Sequence, residues 1–416
     1  MTHAKRCYPL AICLALFSTG PAFTQIPSTQ STASAATIPV AYVYVGTTTR
    51  GIYLYDAAAN GKLTLVSGSP FKNTGLLVGS NGKYLFSLGT DWVHVYGVAT
   101  NGAMKPQVFT LNTQNYLGAN CGTTSGAVLD HTGQDLYVLL DNARDSSGNG
   151  LCAAHQTFSV GSSSGALTFK GATIAETAST GGEALPTITG NDKYAFTVNN
   201  YYEPADGIFM NGFGAFIRET DGTLEPPQYF YAENPFDEDP APDWAFIPFS
   251  VTADPSNHLA VYGNFYYDPP KGGTNGPAML ASYTVKAPEN LSGYNAPVYE
   301  IVSTNNSGNM PVPLIQVTSM KMSPSGKFLA VGGNTFNPGL QVFHFNGAAP
   351  ITPYGKPLVT ASIDQIHWDN ANHLYAVSNA TEKMYVFTVT ASSVTQAPGS
   401  PYTIPDVPNA LVVVPK

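Results

Sequence analysis

One short apolar segment recurs seven times along this chain of 416 residues, and this repetition constrains the fold more than any other feature. The copies read AYVYVG, KYLFSLG, DLYVLL, KYAFTV, HLAVYG, KFLAVGG and HLYAVS, and they start at residues 41, 83, 135, 193, 258, 327 and 373. A second alternating segment, such as VHVYG or MYVFTV, follows each copy. Alternation with a period of two predicts β-strands, so we expect seven copies of one β-sheet unit.

The unit is clearest at residues 317–359, where a short strand, a tight turn, two alternating strands and a weaker last strand follow one another. We name these strands a, b, c and d. Asn-Gly and Ser-Gly pairs lie at the turns, and such residues accept the positive φ of tight hairpins. The chain also contains 40 Gly and 32 Pro but only 11% charged residues, a composition typical of turn-rich β proteins. Units of this kind are the blades of a β-propeller.

Strand a indicates how the ring of blades closes. It precedes strand b in six units but has no counterpart before Ala41, whereas PNALVVVPK (408–416) has no strand b after it. A C-terminal strand a that pairs residues 410–414 with 41–45 completes the first blade and hides two sheet edges. The sequence therefore predicts an all-β protein: a seven-bladed β-propeller with four-stranded antiparallel blades, closed by the C-terminal strand.

The N-terminus has the pattern of an export signal. Lys5 and Arg6 form a basic start, residues 10–17 are apolar but too short to span a bilayer, and GPA (20–22) fits a cleavage site. We expect a signal peptide at 1–22, a flexible Ser/Thr/Ala-rich lead-in at 23–39 and the propeller at 40–416, exported to the periplasm or secreted. The formal net charge of −9 disfavours nucleic acid and anionic membrane surfaces as partners, and we expect no membrane insertion.

Two cysteines, Cys121 and Cys152, remain after removal of the signal peptide. A lone pair of cysteines in an oxidising compartment predicts a disulfide, here between the approaches to strands a and c of the third unit. Two buried free thiols are the alternative, since the sequence does not fix the distance between them.

The repeats resemble those of a known group of propellers. SPSGKFLAV, LTLVSGSPF (63–71) and VTQAPGSPY (394–402) are similar to the repeats of lactonase-type seven-bladed propellers, the family of propeller 6-phosphogluconolactonases and YVTN-repeat surface proteins. The likeness covers nearly all of the chain after the signal peptide. It implies the propeller fold, and it implies lactone hydrolysis as one activity among several that this fold supports.

In lactonases of this family, a His precedes strand a in two blades, a Glu follows strand b, and arginines reach the central cavity. Here Thr124 and Ser125 stand where the first His is expected, and Leu185 and Pro186 stand where the second is expected. Glu203, or less closely the polar Asn199 and Asn200, matches the carboxylate position, and Glu203 is the candidate catalytic residue that the resemblance implies. The chain after the signal peptide contains three arginines, Arg50, Arg144 and Arg218.

A tyrosine pair followed by an acid and a proline occurs twice, as NNYYEP (199–204) and NFYYDP (264–269). Both segments follow strand b, so we predict that they are loops on the face of the ring where b–c and d–a connections meet. Residues 141–145 and 229–244 add long insertions to the same face. Aromatic rings pack on the C–H surfaces of sugars and carboxylates accept hydroxyl hydrogen bonds, although such residues also anchor loops. The candidate ligand-binding residues are Tyr201, Tyr202, Glu203, Tyr266, Tyr267, Asp268, Asp141, Arg144 and Trp244.

The sequence supports two functions of different classes. One is a binding scaffold for a carbohydrate-like small molecule or a protein, and the other is a hydrolase of a sugar-type lactone; the residues leave open whether the protein is an enzyme. No histidine spacing is typical of zinc, so we expect no metal site and no cofactor. Calcium bound by Asp237, Asp239 and Asp243 is an alternative that the sequence does not decide. We expect a monomer.

Overall fold

The structure is a computed structural model that describes residues 38–72, 75–116, 121–142, 153–176, 185–203, 208–231, 244–267, 274–285, 299–301, 316–335, 338–347 and 349–416. The predicted signal peptide and nearly all of the predicted lead-in lie outside these ranges. The helical structure within them is one short 3-10 turn, η1 (Thr113–Tyr116), and none of their helices is long and apolar enough to cross a bilayer.

The strands of the described ranges form seven antiparallel sheets in chain order. Blades 1 to 3 contain β1 (Ala41–Thr47), β2 (Gly51–Ala57) and β3 (Leu63–Leu65); β4 (Leu76–Ser80), β5 (Tyr84–Leu88), β6 (Trp92–Val98) and β7 (Met104–Asn112); and β8 (Gly122–Leu129), β9 (Asp135–Asn142), β10 (Ala153–Val160) and β11 (Leu167–Glu176), respectively. Blades 4 and 5 contain β12 (Thr187–Ile188), β13 (Tyr194–Glu203), β14 (Ile208–Ile217) and β15 (Gln228–Tyr231), and β16 (Trp244–Ala253), β17 (His258–Tyr267), β18 (Thr274–Val285) and β19 (Tyr299–Ile301). Blade 6 contains β20 (Gln316–Met322), β21 (Phe328–Thr335), β22 (Gly339–His344) and β23 (Thr352–Pro353), blade 7 contains β24 (Gln365–Trp368), β25 (His373–Ser378), β26 (Lys383–Val389), β27 (Val394–Gln396) and β28 (Tyr402–Thr403), and the last strand, β29 (Pro408–Pro415), returns to blade 1.

The predicted seven-bladed propeller is confirmed, as is its closure. Each sheet has strand a innermost, followed by b, c and d, and β29 is the strand a of blade 1. The pairing of β29 with β1 is antiparallel, with Tyr42 opposite Val414 and Val45 opposite Leu411. The first and last strands of the propeller therefore share one sheet, and β1 has a partner strand on both sides.

Each of the seven interfaces between neighbouring blades has its own hydrophobic cluster. The cluster between blades 7 and 1 joins Tyr375 and Val377 to Val43, and the cluster between blades 1 and 2 joins Tyr44 to Leu85. The other five interfaces follow the same rule. Because successive side chains of a strand point to opposite faces, each blade contributes one face to each of two clusters.

A contact between a residue at the start of strand b and a glycine in the next blade recurs around the ring. Gly102 lies against the ring of Tyr42, Gly61 lies against His373, and a Cβ atom at Gly102 would come within 2.7 Å of the Tyr42 ring. Both glycines have positive φ in the turn between strands c and d. Glycine is required there because the turn needs that backbone conformation and the neighbouring ring leaves no room for a side chain.

The connection that leads into β29 is fixed to blade 1 by Asp406. Its carboxylate accepts hydrogen bonds from the backbone N–H groups of Thr49 (2.7 Å) and Arg50 (2.9 Å) and from the Thr49 hydroxyl (2.9 Å). These bonds hold the pKa of Asp406 well below its usual range, and the bond from the Thr49 N–H has the largest effect. The ionised carboxylate thus connects the closing strand to the turn that follows β1.

Deletion of residues 408–416 should abolish cooperative folding. The truncation exposes the inner edge of β1 and removes Leu411, Val412 and Val413 from two blade interfaces. Circular dichroism with urea titration measures the result, and deletion of Lys416 alone is the control that should keep a single transition. A cooperative transition in the longer truncation would contradict closure by β29.

Asp406→Asn should lower the melting temperature at pH 7, since the amide lacks the charge that strengthens the three hydrogen bonds. The folded pKa is depressed, so the stabilisation by Asp406 is fully present above the unfolded pKa of about 4 and is lost as the pH falls from there through the lower folded pKa. The difference between the two melting temperatures should therefore begin to shrink below about pH 4 and disappear only below the folded pKa. A difference that is constant with pH would show that the carboxylate charge is not responsible.

Candidate functional site

The upper face of the propeller, defined here as the face that carries the b–c and d–a connections, contains the first tyrosine pair in an extended hairpin. In blade 4, β13 and β14 pair along ten residues each, and the pairing continues through the predicted loop as far as Glu203. Tyr201 lies opposite Met210, Tyr202 lies opposite Phe209 and Glu203 lies opposite Ile208. The segment is thus held by a regular backbone ladder.

The second tyrosine pair lies in the next blade and is also part of a sheet. In blade 5, Tyr267 is paired with Trp244 and Tyr266 is paired with Ala245. Directly opposite residues of an antiparallel pair have Cα atoms roughly 4.5 to 5.5 Å apart. Strand β13 of blade 4 packs against β16 of blade 5. The structure therefore brings three of the predicted aromatic residues, Tyr266, Tyr267 and Trp244, and the tyrosine pair of blade 4 to one edge of the upper face.

The prediction that these residues form loops is wrong. The residues from Asn199 to Glu203 and from Asn264 to Tyr267 continue strands b of their blades. Asparagine pairs indicate a turn in an isolated sequence, but the partner strand pairs the backbone groups and extends the hairpin. The position on the upper face is as predicted, because strand b runs towards that face in both blades.

The remaining predicted residues are only partly described. Asp141 lies in β9 opposite Thr123, near the upper end of blade 3. Arg144, Asp268 and the acidic segment 237–243 lie outside the described residues. Cys121 is fully buried and packs with Leu140 and Ala154. Ala154 follows Cys152 by two residues in the chain. Because Cys152 itself lies outside the described ranges, the disulfide stays a prediction.

The positions of the two family histidines have structural roles here. The hydroxyl of Thr124 donates to the carbonyl oxygens of Gly89 (3.0 Å) and Thr90 (2.7 Å), which joins blade 3 to blade 2. Ser125 donates to the carbonyl of Leu139 (3.4 Å), and Leu185 is an exposed apolar residue that lies against Gly126. None of these side chains exchanges protons near neutral pH, so they do not replace the histidines chemically.

Two histidines that the sequence left without a role stabilise turns. His373 is buried and its Nδ1 lies 2.7 Å from the carboxylate of Asp369, and His258 makes the same contact with Asp254 at 3.0 Å. In both turns the same carboxylate accepts the backbone N–H of its histidine. Across the described residues, no group of three potential ligands could hold a metal ion.

A charged cluster joins blades 3 and 4 on the lower face, which carries the a–b and c–d turns. The Arg218 guanidinium contacts the carboxylates of Asp130 (3.1 Å) and Asp135 (2.7 Å), and Lys170 contacts Asp135 at 2.6 Å. Burial raises the pKa of Tyr137, whose protonated hydroxyl accepts from Arg218 Nε (2.6 Å) and donates to the Gly222 carbonyl (2.7 Å).

This cluster lines a cavity of about 540 Å³. Both carboxylates are nearly inaccessible to solvent, and each accepts at least two hydrogen bonds. Asp135 in blade 3 is equivalent to Tyr42 in blade 1 and His373 in blade 7. Like them, it contacts a glycine of the next blade, which is Gly222. The two cations and two buried carboxylates balance, so the cluster acts as a brace between the blades.

Arg218→Met should destabilise the protein by about 3 to 5 kcal/mol, because it leaves the buried carboxylates of Asp130 and Asp135 with insufficient positive charge. The free energy of unfolding in urea measures the loss. Arg50→Met is the matched control, since the side chain of Arg50 is exposed, and it should change that free energy by less than about 0.5 kcal/mol. Equal effects of the two substitutions would disprove the role of the cluster.

Comparison with known proteins supports the fold and leaves the activity open. No protein-family model matches the chain, and no curated protein matches it. Among solved structures, a protein from Bacteroides uniformis, provisionally described as a 6-phosphogluconolactonase, has a TM-score of 0.58 and 13% identity over 90% of this chain and 99% of its own. A protein from Lactobacillus plantarum has a TM-score of 0.55 and 13% identity with the same coverage. The fold is thus that of a seven-bladed propeller, and the similarity to these structures supports the predicted resemblance at the level of fold alone.

Proposed function

We propose that this protein is an exported binding scaffold that recognises a carbohydrate at the upper edge of blades 4 and 5. The observation that carries the proposal is the pairing of Trp244 with Tyr267 in β16 and β17, next to the strand that contains Tyr201, Tyr202 and Glu203. Export rests on the basic and apolar pattern of residues 1–22, and the destination is the periplasm or the exterior.

The chemistry of these residues suits a neutral sugar. Aromatic rings supply flat apolar surfaces for C–H groups, and a carboxylate accepts hydrogen bonds from hydroxyl groups. Extended hairpins also restrict the backbone before binding, which reduces the entropy that a flexible loop would lose. A neutral ligand agrees with the net charge of −9, since an anionic ligand would be repelled on average.

Hydrolysis of a sugar-type lactone is the second candidate, and the fold of the Bacteroides uniformis structure favours it. Hydrolysis adds water to the lactone carbonyl and breaks the ring ester bond, so it requires a group that takes a proton from water. Glu203 is the candidate for this role. Thr124 and Ser125 stand at the first histidine position of the family, and Leu185 and Pro186 stand at the second. We therefore rank the binding function ahead of the enzymatic one.

Tyr202→Ala and Tyr267→Ala should each weaken carbohydrate binding by roughly 1 to 3 kcal/mol, as truncation of aromatic anchors does. A panel of immobilised glycans identifies the ligand, and calorimetry with that glycan measures the change. Melting temperatures should change little. Trp92→Ala is the matched control, since Trp92 is an exposed aromatic residue on the upper face of blade 2 and should not affect binding. A lower melting temperature of the two tyrosine variants with unchanged binding would identify the tyrosines as structural anchors.

Glucono-δ-lactone and its 6-phosphate distinguish the two candidate functions. The binding scaffold should not accelerate their hydrolysis above the rate in buffer. Turnover by the wild-type protein that disappears in Glu203→Gln would overturn the scaffold assignment in favour of the lactonase. If the protein binds a purified protein partner and no glycan, the proposal of a binding scaffold stands, but the proposal that its ligand is a carbohydrate is wrong.

A further inference from the structure

Seven equivalent positions on the innermost strands carry an uneven set of side chains. Each is the residue of strand a that lies opposite the third residue of strand b, where the count starts at Tyr42 in blade 1 and at its equivalents in the other blades, which are Tyr84, Asp135, Tyr194, His258, Phe328 and His373. We call these positions the inner ring, and they are Val412, Gly79, Val128, Thr187, Thr252, Lys321 and His367. Five are small or apolar, whereas the two titratable residues lie in adjacent blades 6 and 7.

Inner-ring side chains face strand a of the next blade. Val412 packs in the cluster with Leu85 of blade 2, and the Thr187 hydroxyl accepts the backbone N–H of Ala253 in blade 5 (3.1 Å). Lys321 on β20 therefore faces β24 of blade 7. The indole N–H of Trp368 in that strand donates to the carbonyl of Lys321 (3.0 Å), which fixes the two strands side by side.

Solvent reaches Lys321 more than the other inner-ring residues, which are buried or only partly exposed. Thr252 and Val412 are 8% and 2% exposed, but Lys321 is an exposed residue. Strand a is innermost, so the water that reaches Lys321 is that of the central channel, where protein surrounds the side chain. This partial desolvation lowers the pKa of Lys321. The pKa of His367 is lowered to about 3, mainly by burial and in addition by the charge of Lys321. The imidazole of His367 is therefore neutral at neutral pH.

The Lys321 ammonium has no counter-charge in the part of the chain that the structure describes. No described carboxylate lies within ion-pair distance of it, and the other six inner-ring residues include no acid. The enclosed charges of Arg218 and Asp135, by contrast, are paired with each other. An enclosed charge without a partner is unfavourable, and a bound ion of opposite sign offsets that cost.

We propose that Lys321 binds a small singly charged anion, a carboxylate in particular, on the channel wall between blades 6 and 7. One ammonium offsets one negative charge, and the neutral imidazole of His367 adds a hydrogen-bond donor without a second positive charge. Lys321 lies two residues before the a–b turn at Ser323, near the lower end of the channel. This site is therefore separate from the tyrosine edge on the upper face.

Binding of acetate tests the site directly. Saturation-transfer NMR with sodium acetate should give a signal with the wild-type protein and with Lys327→Met, which removes an equal charge from the neighbouring a–b turn. The signal should fall at least tenfold in Lys321→Met. Acetate should also raise the melting temperature of the wild-type protein to a plateau and leave that of Lys321→Met unchanged.

The stability of the variant provides a second measurement. In acetate-free buffer, Lys321→Met should melt at or above the wild-type temperature, because methionine fills similar space without a desolvated charge. Lys321→Gln serves if the methionine variant does not fold. Acetate binding that persists in the Lys321 variants, or that is absent from the wild-type protein, would overturn the proposal.

Discussion

Burial of both faces of every blade is the constraint on which the rest of this structure depends. A single blade of four short strands has two apolar faces and cannot cover either by itself. Seven blades in a closed ring provide seven interfaces, and each interface of the described structure contains one hydrophobic cluster. Closure is therefore a requirement of burial, since an open ring would expose two of these faces to water.

The repeat in the sequence predicted most of the fold for the same reason. Alternating residues in copies such as KFLAVGG record which faces are buried, and the unmatched segments at the two ends indicated that β29 pairs with β1. The length of the hairpins in blades 4 and 5 could not be predicted in this way. Asn199 and Asn200 favour a turn locally, and only the paired strand β14 shows that the backbone continues.

Function is expected where the chain departs from its own repeat. Asp135 takes the place of a ring at the interface of blades 3 and 4, and the charges of Arg218 and Lys170 compensate it. Lys321 takes an inner-ring position that is small or apolar in five other blades, without such compensation. The pairing of Asp135 was not predictable, because Arg218 lies 83 residues away in the sequence. Alignment of the seven strands a could have identified Lys321, but only the register shows which residues are equivalent.

Hydrogen exchange of the closing strand tests most directly whether one ring of buried faces holds the protein together. If β29 is an integral part of the core, the amides of Val412 and Val414 should exchange only through global unfolding, with the same protection as the amides of Val43 and Val45. Their protection should also fall in parallel as urea is added. Fast exchange in β29, while β1 stays protected, would show that the blades are stable without closure and would contradict this account.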